Sequence, residues 1–217
     1  MRSTTPSPLV FVTGADGGIG SAAVAALKER GAHAIGFVRA DADLSSPDEI
    51  GRLANRALKE HGGVDWAVYA HGFLDAETGL GKQREEDIAA TFDINTLSII
   101  YLTRHLLPHL QRGSIFVSST AGLSPNGQYA AYSASKAAVN AFAGAIAKAR
   151  PDLISIALCP GPTNTAMRRK IDPNAVSAQS PEIVAEAIAD IVMGVSPYKN
   201  GDTVVVRSGE ISLHSMR

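Results

Sequence analysis

A chain of 217 residues with 45% hydrophobic and 19% charged residues has room for one globular domain, or at most two small ones, with a substantial core. Its net charge of −1 supplies no field that would draw nucleic acid or an anionic membrane, so a small molecule is the expected partner. The single cysteine, Cys159, has no partner for an internal disulfide and lies in the apolar run LISIALCP, where a buried reduced thiol in a reducing compartment is expected.

In chain order, MRSTTPSP carries one arginine but no apolar stretch behind it, so residues 1–8 read as a frayed tail and not as a signal peptide. No later apolar run is long enough to span a bilayer, which points to the cytoplasm. PLVFVTG predicts a strand and is followed by a helix to Arg30, ended by Gly31. AHAIGFV, VDWAVYAHG, GSIFVSS, LISIALCP and DTVVVRSG predict further strands. Ser46-Pro47 with Glu49, and Ser180-Pro181 with Glu182, mark helix starts, each a cap followed by proline at the first helical position. This alternation predicts an α/β fold over residues 9–217: one doubly wound, Rossmann-like parallel sheet with helices on both faces. Between GFVR and Ser46 only ADADLS is available, too little for a complete strand-helix-strand unit, so that sheet edge must be shortened.

Two local patterns carry chemistry. In VFVTGADGGIGSAAVAAL, Gly14, Gly18 and Gly20 follow an apolar strand and open an amphipathic helix. Glycines let the backbone approach a pyrophosphate, whose charge the helix N-terminal N–H groups then meet, although a tight turn without ligand reads the same way. In AAYSASKAAV, Tyr132 and Lys136 stand one helical turn apart on one face. A cation beside a phenol lowers its pKa toward the range useful for proton transfer. Alone, the pair is equally an ordinary surface pair.

Together, TGADGGIG and YSASK resemble the TGxxxGIG and YxxxK motifs of the short-chain dehydrogenase/reductase family, in the same order and separation, over roughly Leu9 to Gly209. The resemblance implies a catalytic set. Ser119 in IFVSST lies thirteen residues before the tyrosine and would hydrogen-bond the substrate oxygen, with Ser118 or Thr120 as one-residue alternatives. Asn95 in FDINTLS would hold a water linking Lys136 to solvent, or else satisfy local backbone groups. Tyr132 would be the acid/base, and Lys136 would hold the nicotinamide ribose. CPGPTNT resembles the turn that holds the nicotinamide and implicates Pro160, Gly161, Thr163 and Thr165. The same resemblance assigns Asp16 and Ile19 of the glycine loop, Asp43 and Leu44, and Ala70, His71 and Gly72 to the cofactor's surroundings. It implies an NAD(P)-dependent oxidoreductase acting on a carbonyl or secondary alcohol. A cofactor-binding sensor or scaffold without chemistry, and an epimerase or dehydratase with bound cofactor, are the alternatives.

The chain departs from the family where NNAG becomes YAHG, Tyr69 to Gly72, so side-chain bonds there must be rebuilt and His71 either meets cofactor or fills space. No metal-ligating pattern is present. The substrate-covering stretch AMRRKIDPNAVSAQ is short, and Met167 is a candidate substrate contact. After the second strand, Val38 stands where an NAD enzyme places a carboxylate, and Arg39 follows. That order favours NADP over NAD, against which Asp41 could reach the ribose diol and Asp16 stands where a basic residue is common. The small-residue helix from Ala130 resembles one that packs across a dimer axis, so a homodimer or homotetramer is expected.

Overall fold

The computed structural model describes residues 7–75, 77, 79–173 and 178–214. Most of the expected tail over residues 1–8 lies outside the described residues. Its last member, Pro8, accepts a hydrogen bond from the His33 N–H at 2.9 Å and so is tied to the sheet edge.

Seven strands form one sheet: β1 (Leu9–Thr13), β2 (His33–Phe37), β3 (Val64–Tyr69), β4 (Leu110–Val117), β5 (Ile154–Pro160), β6 (Thr203–Arg207) and β7 (Glu210–Leu213). Their order is β2-β1-β3-β4-β5-β6-β7, parallel except for the final pair. The six strands expected from apolar runs are present. The seventh was not legible in the sequence: β7 is exposed along its length, so no buried face imposes an apolar pattern on it.

Side chains on alternate strand positions enter two cores. Val10, Val12, Val68, Ile115, Val117, Ile156 and Leu158 face α1 (Gly18–Glu29) and a C-terminal helix over Pro181–Val192. Phe11, Ala67, Tyr69, Phe116 and Ala157 face the opposite layer, which contains α2 (Pro47–His61), α4 (Ser98–Leu106) and α5 (Ala130–Ala149). The remaining helices are α3 (Glu85–Phe92), α6 (Ala166–Ile171) and α7, the C-terminal one at Pro181–Val192. Arg30 at the end of α1 pairs with Glu186 and Asp190 of α7, joining the two helices of the first layer.

Sequence signals set most helix ends. Ser46 caps α2 by accepting from the Glu49 N–H at 3.4 Å, Pro47 starts it, and Gly62 ends it at φ 76°. Pro181 starts α7, but the Ser180 side chain makes no capping bond, contrary to its expected role.

The shortened edge is present. From β2 the chain turns through residues 38–46 directly into α2, which carries it back across β1 to β3. Strand order therefore reverses between β1 and β3, and such a reversal opens a crevice at the carboxyl ends of the two strands. Gly14 and the Ala70–Gly72 segment meet at this point.

Candidate active site

Gly14 follows β1 at φ 70°, and a Cβ there would stand 2.6 Å from the His71 Cα. A Cβ on Gly20 would stand 2.1 Å from the Gly14 carbonyl oxygen. Both positions are fixed by the contact of helix, turn and strand, with or without ligand. Above them, α1 opens from Gly17 with no side-chain cap and no acidic residue in its first turn. Its first N–H groups therefore keep the donor capacity and positive dipole end that suit a pyrophosphate.

Two connected grooves run from this loop. The first, about 260 Å³, passes from Asp16 and Arg39 along Gly14, Gly18, Ile19, Ala70, His71 and Gly72 to Tyr132 and Lys136, with Thr165 and Met167 across it. The second, about 360 Å³, continues past Ser119, Pro160, Gly161 and Thr163 to Arg168 and Arg207. Tyr132, Ser118, Ile19, Leu74, Thr165 and Met167 line both, so Tyr132 stands at the junction. An elongated dinucleotide fits a cradle of this form, and the glycine loop with the first turn of α1 would hold its phosphates.

Several candidates stand outside the lining. Gly20 and Asn95 lie behind it. Asp43 and Leu44 line neither groove: the Asp43 carboxylate accepts from Ser45 N at 2.9 Å and Oγ at 2.7 Å, bonds that hold it below the usual carboxylate range, and Leu44 packs toward the α2 layer.

At the junction, Lys136 Nζ lies 5.9 Å from the Tyr132 ring centroid and donates to the Val117 carbonyl at 3.0 Å. Burial pushes the Lys136 ammonium down to about 8. Burial also raises the Tyr132 phenol, with the Ser119 hydroxyl acting in the opposite direction. The expected lowering of the phenol by Lys136 is therefore not present in this site. The ammonium is directed at a carbonyl, so it contributes no lowering to set against the partial burial of the phenol.

Of the three candidate hydroxyls, Ser118 donates to the Lys136 carbonyl at 2.9 Å and anchors α5. Ser119 accepts from the Ala121 N–H at 3.1 Å, which leaves its own O–H to offer in the second groove. Thr120 lines that groove as well.

Asn95 sits in a π-helical turn, Asp93–Leu97, between α3 and α4. Its Oδ1 accepts from Phe73 N–H at 2.7 Å, while Nδ2 donates to the Phe73 carbonyl at 2.8 Å and Ser135 Oγ at 3.0 Å. The side chain is thus a brace for the loop after β3. A Cβ on Gly72 would be 3.2 Å from Asn95 Oδ1 and 3.6 Å from Lys136 Nζ, so the three groups converge.

His71 rebuilds the bonds that the changed YAHG segment requires. Ser98 Oγ donates to the Ile94 carbonyl at 2.6 Å and so accepts from His71 Nε2–H at 2.7 Å. Nδ1 is then an acceptor for the Thr13 hydroxyl at 2.6 Å. Burial, with Lys136 adding to it, pushes the imidazole down to about 3, so the ring is neutral and joins β1 to α4.

Arg168 and Arg207 were not among the residues singled out by sequence. Arg168 lies in the MRRK run of α6. Arg207 ends β6 and reaches the site only because β6 pairs with β5, setting Pro160 against Val206. Among the described residues no cluster of three or more His, Cys, Asp or Glu could hold a metal ion, and no helix is long and apolar enough to cross a membrane.

A family model described as short chain dehydrogenase matches residues 36–175. An uncharacterized short-chain type dehydrogenase/reductase of Sinorhizobium fredii is 33% identical over 74% of this chain and 72% of its own. An Arabidopsis thaliana protein named NADPH-dependent pterin aldehyde reductase is 25% identical over 94% of this chain and 96% of its own. Among solved structures, a short-chain dehydrogenase of Shigella flexneri complexed with NADP superimposes with TM-score 0.84 at 22% identity, covering 94% of this chain and 99% of that one. A 3-ketoacyl-(acyl-carrier-protein) reductase of Brucella melitensis complexed with NADH gives 0.84 at 21%, covering 92% and 96%. With the family match spanning more than half of its length, the chain belongs to the short-chain dehydrogenase/reductase family.

Proposed function

We propose that this chain is an NADP-dependent oxidoreductase that reduces a small carbonyl compound, or oxidises the matching alcohol, with Tyr132 as the proton-transferring group. The observation that carries the reading is the position of Tyr132, beside Ser119 and one turn from Lys136, where the glycine-loop groove meets the second groove. When bound, the nicotinamide supplies or removes hydride at the substrate carbon. The glycine loop and the first turn of α1 would hold the pyrophosphate. Lys136 would meet the ribose, and Pro160, Gly161, Thr163 and Thr165 would border the nicotinamide end.

The residues divide the remaining work. Tyr132 donates its phenolic proton to the substrate oxygen, and burial favours the protonated form that this step consumes. Ser119 donates a hydrogen bond to the same oxygen and stabilises negative charge as it grows. Asn95 fixes the loop after β3 against Lys136, and the proposed water between Asn95 and Lys136 would return a proton.

The preference for NADP is supported at the far end of the first groove. Arg39 uses Nε on Asp16 at 2.8 Å, a contact that leaves the two terminal nitrogens for a 2′-phosphate. Asp41 accepts from the Val38 N–H at 2.7 Å and pairs with Arg56 at 3.5 Å, which occupies it away from a ribose diol. One relative is named NADPH-dependent, and one solved neighbour holds NADP. The reading also takes the chain to be a cytoplasmic homodimer or homotetramer.

Tyr132→Phe removes the proton donor and little packing. It is expected to lower carbonyl reduction by 10²- to 10⁴-fold, roughly the contribution of general acid catalysis, with cofactor affinity nearly unchanged. Consumption of reduced nicotinamide across a carbonyl panel, with fluorescence titration of the cofactor, checks both halves. An equal loss of rate and affinity would make Tyr132 a structural residue.

A further inference from the structure

We propose that a side groove beside the second groove receives an acidic group of the substrate, carboxylate or phosphate, and that Arg207, supported by Arg168, selects for it. The inference rests on the carbonyl-reducing reading, since it assigns the other end of the molecule that reacts at Tyr132.

The side groove has a volume of about 270 Å³ and shares Pro162, Arg168 and Arg207 with the catalytic one. One molecule can therefore occupy both. The catalytic groove is lined by these two guanidinium groups and, among the described residues, by no carboxylate. In the side groove the lining carboxylate is Asp172, already bonded to Arg168 Nη2 at 3.1 Å, so two cations face one anion.

Arg207 is exposed and, among the described residues, its side chain makes no ion pair and no hydrogen bond. Glu210 stands opposite it in the β6–β7 register without pairing to it. The Arg207 stem is nevertheless held: its Cγ lies 3.1 Å from where a Cβ of residue 161 would stand, against the turn proposed to border the nicotinamide. The charged head thus has a fixed base and, among the described residues, no partner.

Arg168 is oriented by Asp172 through Nη2, and 30% of its side-chain surface stays open, so its guanidinium adds positive charge to the lining that the two grooves share. The planar fork of arginine matches carboxylate and phosphate oxygens alike.

The test compares 4-carboxybenzaldehyde with its methyl ester, each rate being normalised to borohydride reduction of the same compound because the ester group activates the aldehyde more than the carboxylate does. The wild-type protein with NADPH is expected to favour the acid in kcat/KM by about tenfold or more, a preference that shrinks in high salt. Arg207→Gln keeps most of the stem and removes the charge, and it should reduce the acid-to-ester ratio about tenfold; Arg168→Gln should reduce it less. Phosphate-bearing and carboxylate-bearing aldehydes of similar length, run side by side, separate the two acid classes. An acid-to-ester ratio near one, or one that survives Arg207→Gln, overturns the proposal. Calorimetric titration of both compounds into the protein with oxidised cofactor separates this inference from the reading beneath it. If no member of a carbonyl panel turned over, the reductase reading would fail; acid-selective binding abolished by Arg207→Gln would still support the groove, and non-selective binding would overturn it.

Discussion

Arg39 and Asp16 share one hydrogen bond, and cofactor choice depends on how that pair responds to a phosphate. Each holds the other charged: the bond keeps the Asp16 carboxyl below the usual range and raises Arg39. Arg39 is mostly exposed, so the pair is a weak constraint and the guanidinium is available to a stronger anion. Arg39→Ala is expected to weaken NADPH roughly ten- to a hundredfold, the range for a hydrogen bond to a charged group, with NADH almost unaffected. Asp16→Asn should have the opposite sign for NADPH, because it removes both a competitor for the guanidinium and a repelling charge. Fluorescence titration of the two cofactors checks both variants; equal weakening of NADPH and NADH by Arg39→Ala would remove the phosphate role. At this scale the sequence was informative where a residue type is itself the signal. The one-turn spacing of Tyr132 and Lys136 on a single helix was legible from the residues themselves, whereas Ser119, on a different element, was singled out only through the family resemblance. Arg207 was not, since only strand pairing carries it to the site. The direction of the Tyr132 shift was also illegible, because burial and the Lys136 bond to Val117 are properties of the packed site.

The central strands show how tightly the elements constrain that site. Gly113 lies in β4 between β3 and β5, and a Cβ there would stand 2.1 Å from the Ile154 carbonyl oxygen and 2.9 Å from the Trp66 ring. Backbone, not a flexible side-chain tip, blocks the space, so β5 must shift to admit even a methyl group. Gly113→Ala is expected to lose at least about 1–3 kcal/mol, the usual cost of overpacking. A chemical denaturation midpoint equal to that of the wild type would show that the strands can part freely. The same glycine explains part of what the sequence concealed: GSIFVSS was legible as a strand, but its glycine gave no sign that it sits against a neighbouring carbonyl. By contrast, ADADLS revealed the shortened edge by length alone, because no crossover can be built from so few residues. The π-helical turn holding Asn95 had no such signal, and the bond from His71 to Ser98 that supports it joins residues distant in sequence.

Assembly is the remaining scale, and the second helical layer bears on it. On α5, Ala134, Ala141 and Ala145 are exposed and Ala138 is half-buried, a line of small residues at helical spacing. The Asp93–Leu97 turn packs on α5, and its Leu97 is 37% exposed; Ile100 and Tyr101, one turn later in α4, are only half-buried. A solvated helix face needs no such run of alanines. Two copies meeting here could bring their backbones close, while Leu97 and Tyr101 would lose contact with water. Within the homo-oligomer reading, light scattering at micromolar concentration is expected to give a multiple of the 22.6 kDa chain mass. Ala141→Arg would place a guanidinium where another helix must approach, while in a lone chain the same side chain would extend into solvent. It should therefore lower the mass toward one chain with little change in circular dichroism. A wild-type mass of one chain would sink the oligomer, and a mass unchanged by Ala141→Arg would move the contact away from α5.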